Sequence, residues 1–401
     1  MGALYRLFQL HGNSVIDDFD VILIEQEAEA GGLARTITDK HGFSWDLGVH
    51  ITGTSKYPEF LRVLQESIPE WNAVQRCVKA DMSHAMDELE NEKSQLPGSS
   101  QSSFNDYAKN YVPYPVQNSI PYFSKQLKQK CLEDLEQLNG GYNNDQQDNG
   151  EHNQPDFNDN FSDFSRKIFG PTLQSIFIRP YNEKVWTVKL EEMSCKWVKG
   201  RVPRIDPELI RQRSTASLQQ LAFIEEQRNQ TVFRYPAKCK GHSKVILVGV
   251  GLHLPQSELA QKLSWAYYPR PEVVFYRCTL LSNFSRELTP DPEKYWSVLC
   301  EIGTRPEQPV NKQDLIRQTI QGLISVGIVD KEEQVHSSWL MELPFGYPVP
   351  TLDRDEVLEN CHKTFHQNDI YSRGRFGGWR YEISNQDHSF ESGLQLMIAF
   401  C

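Results

Sequence analysis

The 401-residue chain lacks most of what membrane, secreted and nucleic-acid-binding proteins require. It has no run of ~18 apolar residues, which excludes a helical membrane span, and its N-terminus lacks the shape of a signal peptide. None of its cysteines stands at the two-residue spacing of a zinc or redox motif. Cys77, Cys131, Cys195, Cys239, Cys278, Cys300, Cys361 and Cys401 therefore read as free thiols in a reducing compartment, with the cytosol as the expected address and no metal. Positive charge is in deficit: 42 Lys and Arg stand against 53 Asp and Glu, a net charge of −11. That argues against a nucleic-acid-binding surface, while a cleft can still be locally basic and take an anionic substrate. Residues 140 to 160, GGYNNDQQDNGEHNQPDFNDN, hold no aliphatic side chain and cannot enter a core, so a disordered or surface insertion is expected there. A second polar stretch, Asn91 to Ser103, reads as another exposed connection.

A Gly-x-Gly-x-x-Gly turn is also missing. Val21 to Ile24 followed by Glu25 has the pattern of the second strand of a dinucleotide-binding βαβ unit, its acid placed to accept ribose hydroxyls. A plain buried strand with a solvated glutamate fits the same residues. Gly31 and Gly32 follow as flexible backbone, weak evidence when taken alone. The opening MGALYRLFQLHG is already amphipathic and helical, as though the chain starts inside the helix that follows such a turn. The turn would aim backbone N–H groups at a pyrophosphate, and without its strand a parallel sheet exposes edges on both neighbours.

What is present is concentrated near the C-terminus. Tyr371 to Tyr381 brings together Arg373, Arg375 and Arg380, three glycines and four aromatics. Arginine grips phosphate oxygens in pairs, glycine lets backbone approach a ligand, and aromatic faces stack on planar rings. Asn385, Gln386, Asp387, His388 and Ser389 then precede the apolar stretch Leu394 to Phe400, which suits a helix N-terminus facing an anion or a cofactor edge. Helices are predicted over Tyr57–Leu64, Ser124–Leu138 and Phe161–Val185, with Phe157, Phe161 and Phe164 on one face. Arg179 precedes Pro180, where the helix should end or bend; an arginine there can also serve simply by satisfying free carbonyls. Val248-Gly249-Val250-Gly251-Leu252-His253 reads as a buried strand with a tight exit.

The arginine-rich block, DIYSRGRFGGWRYEISNQDHS (369–389), resembles the C-terminal signature of eukaryotic-type UDP-galactopyranose mutases. Five further segments agree in the same order: EAGGLART (29–36), YPVQN (114–118), SIFIRPYNEKVW (175–186), VFYRCTLLSNFS (274–285) and GYPVPTLDR (346–354). The likeness runs from about residue 2 to 400. It implies an α/β fold with an incomplete Rossmann-like FAD-binding domain, an inserted helical substrate domain and an antiparallel sheet region. Residues 1–56 would form the partial FAD-binding region, 57–200 the helical substrate domain and 201–345 the sheet-containing middle. Residues 346–401 would return to the FAD-binding domain.

The resemblance also implies a reaction: flavin-dependent interconversion of UDP-galactopyranose and UDP-galactofuranose, with reduced FAD, NADPH as reductant and a UDP-sugar as partner. Arg179 and Arg375 would clamp the diphosphate, and His50 would lie against the flavin. Tyr114, Gln117, Asn160, Phe164, Asn182, Tyr347 and Tyr381 would contact the substrate. Glu25, Gly31, Gly32, Gly48, Asn385, Gln386, His388 and Ser389 would hold the cofactor. The chain departs from the family pattern in several places. Val49 replaces a glycine beside His50, Phe164 a tryptophan and Phe284 a phenol; some sixty residues are missing between Lys240 and Lys244 (domains run to about 50–250 residues); and Leu252-His253 stands where a second diphosphate arginine is expected. These departures favour the alternative of an inactive relative that keeps only nucleotide-sugar or protein binding. An amine oxidase on the same scaffold would have no use for a pair of diphosphate-binding arginines.

Overall fold

The computed structural model describes residues 2–86, 110–140, 159–236 and 245–398, apart from 14, 17–19, 23, 27, 30, 49–54, 69–70, 199–200, 204, 229–231, 306–307, 345 and 384. The polar stretches expected at 91–103 and, from residue 141 to 158, within 140–160 lie outside them, as do Val49, His50 and Phe157.

Eleven strands are described: β1 (Thr36–Thr38), β2 (Ser44–Asp46), β3 (Trp71–Gln75), β4 (Val78–Asp81), β5 (Tyr111–Pro113), β6 (Val232–Pro236), β7 (Ile246–His253), β8 (Trp265–Tyr267), β9 (Arg277–Thr279), β10 (Tyr295–Ile302) and β11 (Val335–Glu342). Seven of them form one sheet in the order β11-β7-β10-β9-β8-β4-β5, in which β4 and β8 run parallel and all other neighbours antiparallel. The sheet thus draws strands from the 57–200 stretch as well as from 201–345.

β7 lies between β10 and β11, buried along its whole length except at His253. An apolar run without alternation is what a strand covered on both faces requires. Ile246, Val248, Val250 and Leu252 pack with Ile320 and Leu323 of the helix Lys312–Ser325. Leu247 faces the other way, with Phe43, Trp45 and Leu47 around the β1–β2 hairpin. On that face the strand carries Gly249 and Gly251. A Cβ on Gly249 would stand 2.6 Å from the Trp45 ring, and one on Gly251 2.5 Å from the Phe43 ring. The two glycines therefore make room for aromatic rings within a continuous strand; they do not form the tight exit expected from the sequence.

A helical layer carries the second large core. The helices Lys125–Gly140 and Phe161–Phe169 and the run from Pro171 to Trp186 bury Leu127, Leu135, Phe161, Phe164, Leu173, Phe177 and Trp186 together. The single helix expected over Phe161–Val185 is broken at Gly170, whose φ of 84° ends the first segment. Beyond it the chain passes through a π-turn, Gln174–Ile178, before Arg179–Trp186 resumes α-helical form. Pro180 sits in the first turn of that last helix, where its missing N–H costs least, so Arg179 opens a helix instead of closing one.

A third unit packs the helix Gly2–Gly12 against Gln386–Ile398 and Pro58–Ser67 around Tyr5, Phe60, Phe390 and Leu394, bringing the chain ends together. Val21 to Ile24, expected as a strand, is not one: its described residues have no regular structure, and Ile22 and Ile24 are each 87% exposed. A strand persists only where neighbours take its N–H and C=O groups, and none of the described strands lies beside this segment. No helix among the described residues is long and apolar enough to cross a membrane.

Candidate functional site

A cross-strand ion pair lies inside the molecule between β9 and β10. Arg277 on β9 lies opposite Glu301 on β10, with its Nε donating to Glu301 Oε1 at 2.6 Å. Tyr276 donates its hydroxyl to the other carboxylate oxygen at 2.8 Å. The Arg277 side chain is 19% exposed. Burial opposes its charge, yet Glu301 and the phenols of Tyr347, Tyr267 and Tyr276 outweigh that and raise its pKa well above the ordinary value. The guanidinium is permanently protonated.

Around it stands a cluster of phenols. Tyr114 and Tyr267 rings lie 4.5 Å apart, and Tyr181 meets Tyr267 edge-on at 5.4 Å. Tyr347 meets Tyr381 at 5.4 Å, and both meet Trp186, at 5.8 and 4.8 Å. Arg375, from the turn Gly374–Gly377, places its guanidinium 5.3 Å from the Tyr347 ring centre. Burial pushes the Tyr347 hydroxyl up to about 12, with Arg277 and Arg375 both pulling it the other way. One protonated phenol therefore feels two guanidiniums. Burial likewise raises Tyr114, aided by Tyr267 and Tyr381. Arg201 lies over the Tyr381 ring at 5.1 Å and donates to Tyr381 O and Asn385 Oδ1, each at 3.0 Å, which ties the C-terminal block to the helical layer.

The other residues singled out from the sequence have different surroundings. Arg179 is bracketed by carboxylates: its Nη1 donates to Glu183 at 2.8 Å, and its Nη2 to Glu191 at 2.7 Å and to Ser162 Oγ at 2.9 Å. Its hydrogen bond to Glu191 pulls that carboxyl down to about 2. Arg179 and Arg375 thus sit in different environments, one among acids and one among phenols. Asn160 is the N-cap of Phe161–Phe169, its Oδ1 accepting from Asp163 N at 2.9 Å. Asn182 is buried within its helix, donating to Ile178 O at 2.7 Å, and Gln117 is buried and donates to Pro203 O at 3.0 Å. Phe164 is buried against Phe161.

The residues assigned to a cofactor fall into two groups. Asn385 and Gln386 stand at the start of the helix Gln386–Ile398, whose first N–H groups and dipole suit an anion or a polar ring edge. His388 lies edge-on to Tyr57 at 5.7 Å, its pKa lowered by burial, and Ser389 N bonds back to Asn385 O at 2.9 Å. The N-terminal group is less organised. Glu25 is exposed in irregular chain, Gly31 (φ 121°) caps and Gly32 (φ 49°) opens a short 3-10 turn, and Gly48 follows β2. His50 lies outside the described residues. A flavin dinucleotide fits the C-terminal helix start, whereas the described residues around Glu25 form no strand–turn–helix cradle for its phosphates.

Sequence reasoning missed Arg277, although VFYRCTLLSNFS was in view. The usable signal was two opposite charges, Arg277 and Glu301, each flanked by mostly apolar residues in sequence (VFYRCTLL and VLCEI), since lone buried charges are tolerated only in pairs. No guanidinium stands at Leu252-His253, where β7 continues to the rim and His253 is exposed.

Comparison with known proteins identifies the fold. The family model for flavin-containing amine oxidoreductases matches residues 9–202. The crystal structure of a reduced UDP-galactopyranose mutase superposes with a TM-score of 0.71 at 24% identity, covering 92% of this chain and 86% of that one. A putative protoporphyrinogen oxidase from Exiguobacterium sp. 255-15 gives a TM-score of 0.60 at 11% identity, covering 100% and 95%. The chain has an amine-oxidase-like FAD-binding fold, similar to that of UDP-galactopyranose mutase.

Proposed function

We propose that the chain is a flavin-dependent isomerase interconverting UDP-galactopyranose and UDP-galactofuranose. The observation that carries this reading is the Arg375 guanidinium 5.3 Å from the Tyr347 ring, which meets Tyr381 at 5.4 Å, while Arg277 is held by Glu301 and Tyr114 packs on Tyr267. A diphosphate leaving group carries about two negative charges, and paired guanidiniums with phenol donors are the groups that stabilise its departure. At neutral pH Tyr347 keeps its proton and can donate to a phosphate oxygen. Arg277 is oriented by Glu301, so its direction is fixed before a ligand arrives. Arg179 enters the same reading by exchanging Glu191, its more exposed partner, for a phosphate oxygen.

Gln117, Asn160, Phe164 and Asn182 would shape the nucleoside end. Asn385, Gln386, His388 and Ser389, with Glu25, Gly31, Gly32, Gly48 and His50, would face FAD. That group, when reduced and bound, supplies the nucleophile for the anomeric carbon. The chain's own residues bind UDP, neutralise it and exclude water.

A second reading, nucleotide-sugar binding without turnover, is supported by the exposed Ile22 and Ile24 and by the lack of a phosphate cradle among the described residues around Glu25. Three measurements on the purified protein separate the two: its flavin absorbance, its UDP affinity by calorimetry, and its conversion of UDP-galactofuranose under dithionite. Flavin bands with turnover support the isomerase, and colourless protein that binds UDP supports the second reading. Unchanged UDP affinity in Arg277→Lys and Arg375→Ala would reject both.

A further inference from the structure

At the rim of the sheet, away from the phenol cluster, β7 ends at His253 beside His336 of β11. His336 is the extra residue of a β-bulge, between the paired Val335 and Ser337. The bulge brings its Nδ1 to 3.3 Å from His253 Nε2, with the two rings 88° apart. Both side chains are exposed. Two imidazole nitrogens at about 2.0–2.1 Å from one tetrahedral metal ion are separated by about 3.3–3.4 Å, so the observed spacing matches that of a chelate.

We propose that His253 and His336 form a two-imidazole chelate for a divalent transition-metal ion of the Zn2+, Ni2+ or Cu2+ class. Small rotations of these exposed rings aim both lone pairs at one point, and the ion replaces the hydrogen bond between them. Tyr295 supports the pair, its ring 5.1 Å from His253 and 4.6 Å from His336. His41 stands edge-on to His336 at 5.9 Å, and Asp39 contributes negative charge nearby. No group of three or more His, Cys, Asp or Glu among the described residues is arranged to enclose a metal. The site is accordingly an open one, with water completing the coordination.

A second pair, half-buried His362 and exposed His366, is spaced for a helical chelate, with rings 6.0 Å apart. Arg373 and Arg380 surround it with positive charge, lowering the His362 pKa after burial has done so, and they would repel a cation. The electrostatics therefore favour the strand pair.

The test is titration of the full chain with NiCl2, followed by calorimetry and thermal denaturation. The proposal expects saturable binding of one ion per chain and a raised melting temperature, because the ion staples β7 to β11. His253→Gln and His336→Gln should each weaken binding by about tenfold or more. His362→Gln should leave it unchanged, and circular dichroism checks that each variant is folded. Wild-type binding no tighter than that of the His253→Gln/His336→Gln double variant would overturn the proposal, as would loss of binding in His362→Gln instead.

Discussion

Arg277 and Arg179 show how far environment separates two identical side chains. Arg277 is packed between strands against a carboxylate, and its removal leaves Glu301 buried without a counter-charge. Arg277→Ala should lower stability by about 3–5 kcal/mol in denaturant titrations. Arg179 holds its acids at the surface, where solvent screens the attraction; its side chain is 34% exposed. Arg179→Ala should cost less than about 1 kcal/mol in the same assay. Lys184 makes a pH prediction. Burial pushes its amine down to about 7, while it donates to Tyr268 O and Arg270 O at 3.0 Å. Between pH 7 and the free-lysine value of 10.5 the unfolded chain binds a proton that the folded chain does not. Lys184 therefore favours folding fully above 10.5, and this contribution is lost as pH falls through about 7. The stability of wild type relative to Lys184→Met should rise with pH across that window, read from urea midpoints at fixed salt; a flat difference would refute the assignment.

Among the elements, β7 is the one on which the sheet depends most. Its glycines are buried under Trp45 and Phe43, so a side chain there meets aromatic carbon and not water. Gly249→Val should overpack this contact and cost about 1–3 kcal/mol or more, seen as a lowered denaturant midpoint. Helix positions were legible because apolar residues recur at helical spacing. Tyr57–Leu64 and Ser124–Leu138 correspond to Pro58–Ser67 and Lys125–Gly140. The break at Gly170 and the π-turn after it were not legible, because they answer to packing against neighbouring elements and not to local periodicity. The capping bond from Asp163 N to Asn160 was not read from the sequence, where the asparagine was singled out only by the family resemblance, although an asparagine ahead of an apolar run suits a cap.

Across the whole molecule, the C-terminal block is held in place by ion pairs as well as apolar packing. Arg354, only 3% exposed, donates two bonds of 3.0 Å to Glu382, next to Tyr381. Arg354→Met should loosen this block, lowering the melting temperature and weakening UDP binding together; loss of stability with unchanged UDP affinity would uncouple the block from the proposed site. The sequence by itself determined the mixed helix–sheet class and picked out the segments that gather near Tyr347 and Tyr381. The class rests on composition and periodicity, which act along the chain, and the segments rest on their side-chain chemistry together with the family resemblance of their motifs. Only the tertiary structure decided that Arg277 stands by the phenols, that Arg179 is held among carboxylates, and that the described residues of Val21 to Ile24 pair with none of the described strands. Each of those outcomes depends on which residues distant in sequence become neighbours, and so on strand register and layer packing, which no local pattern records.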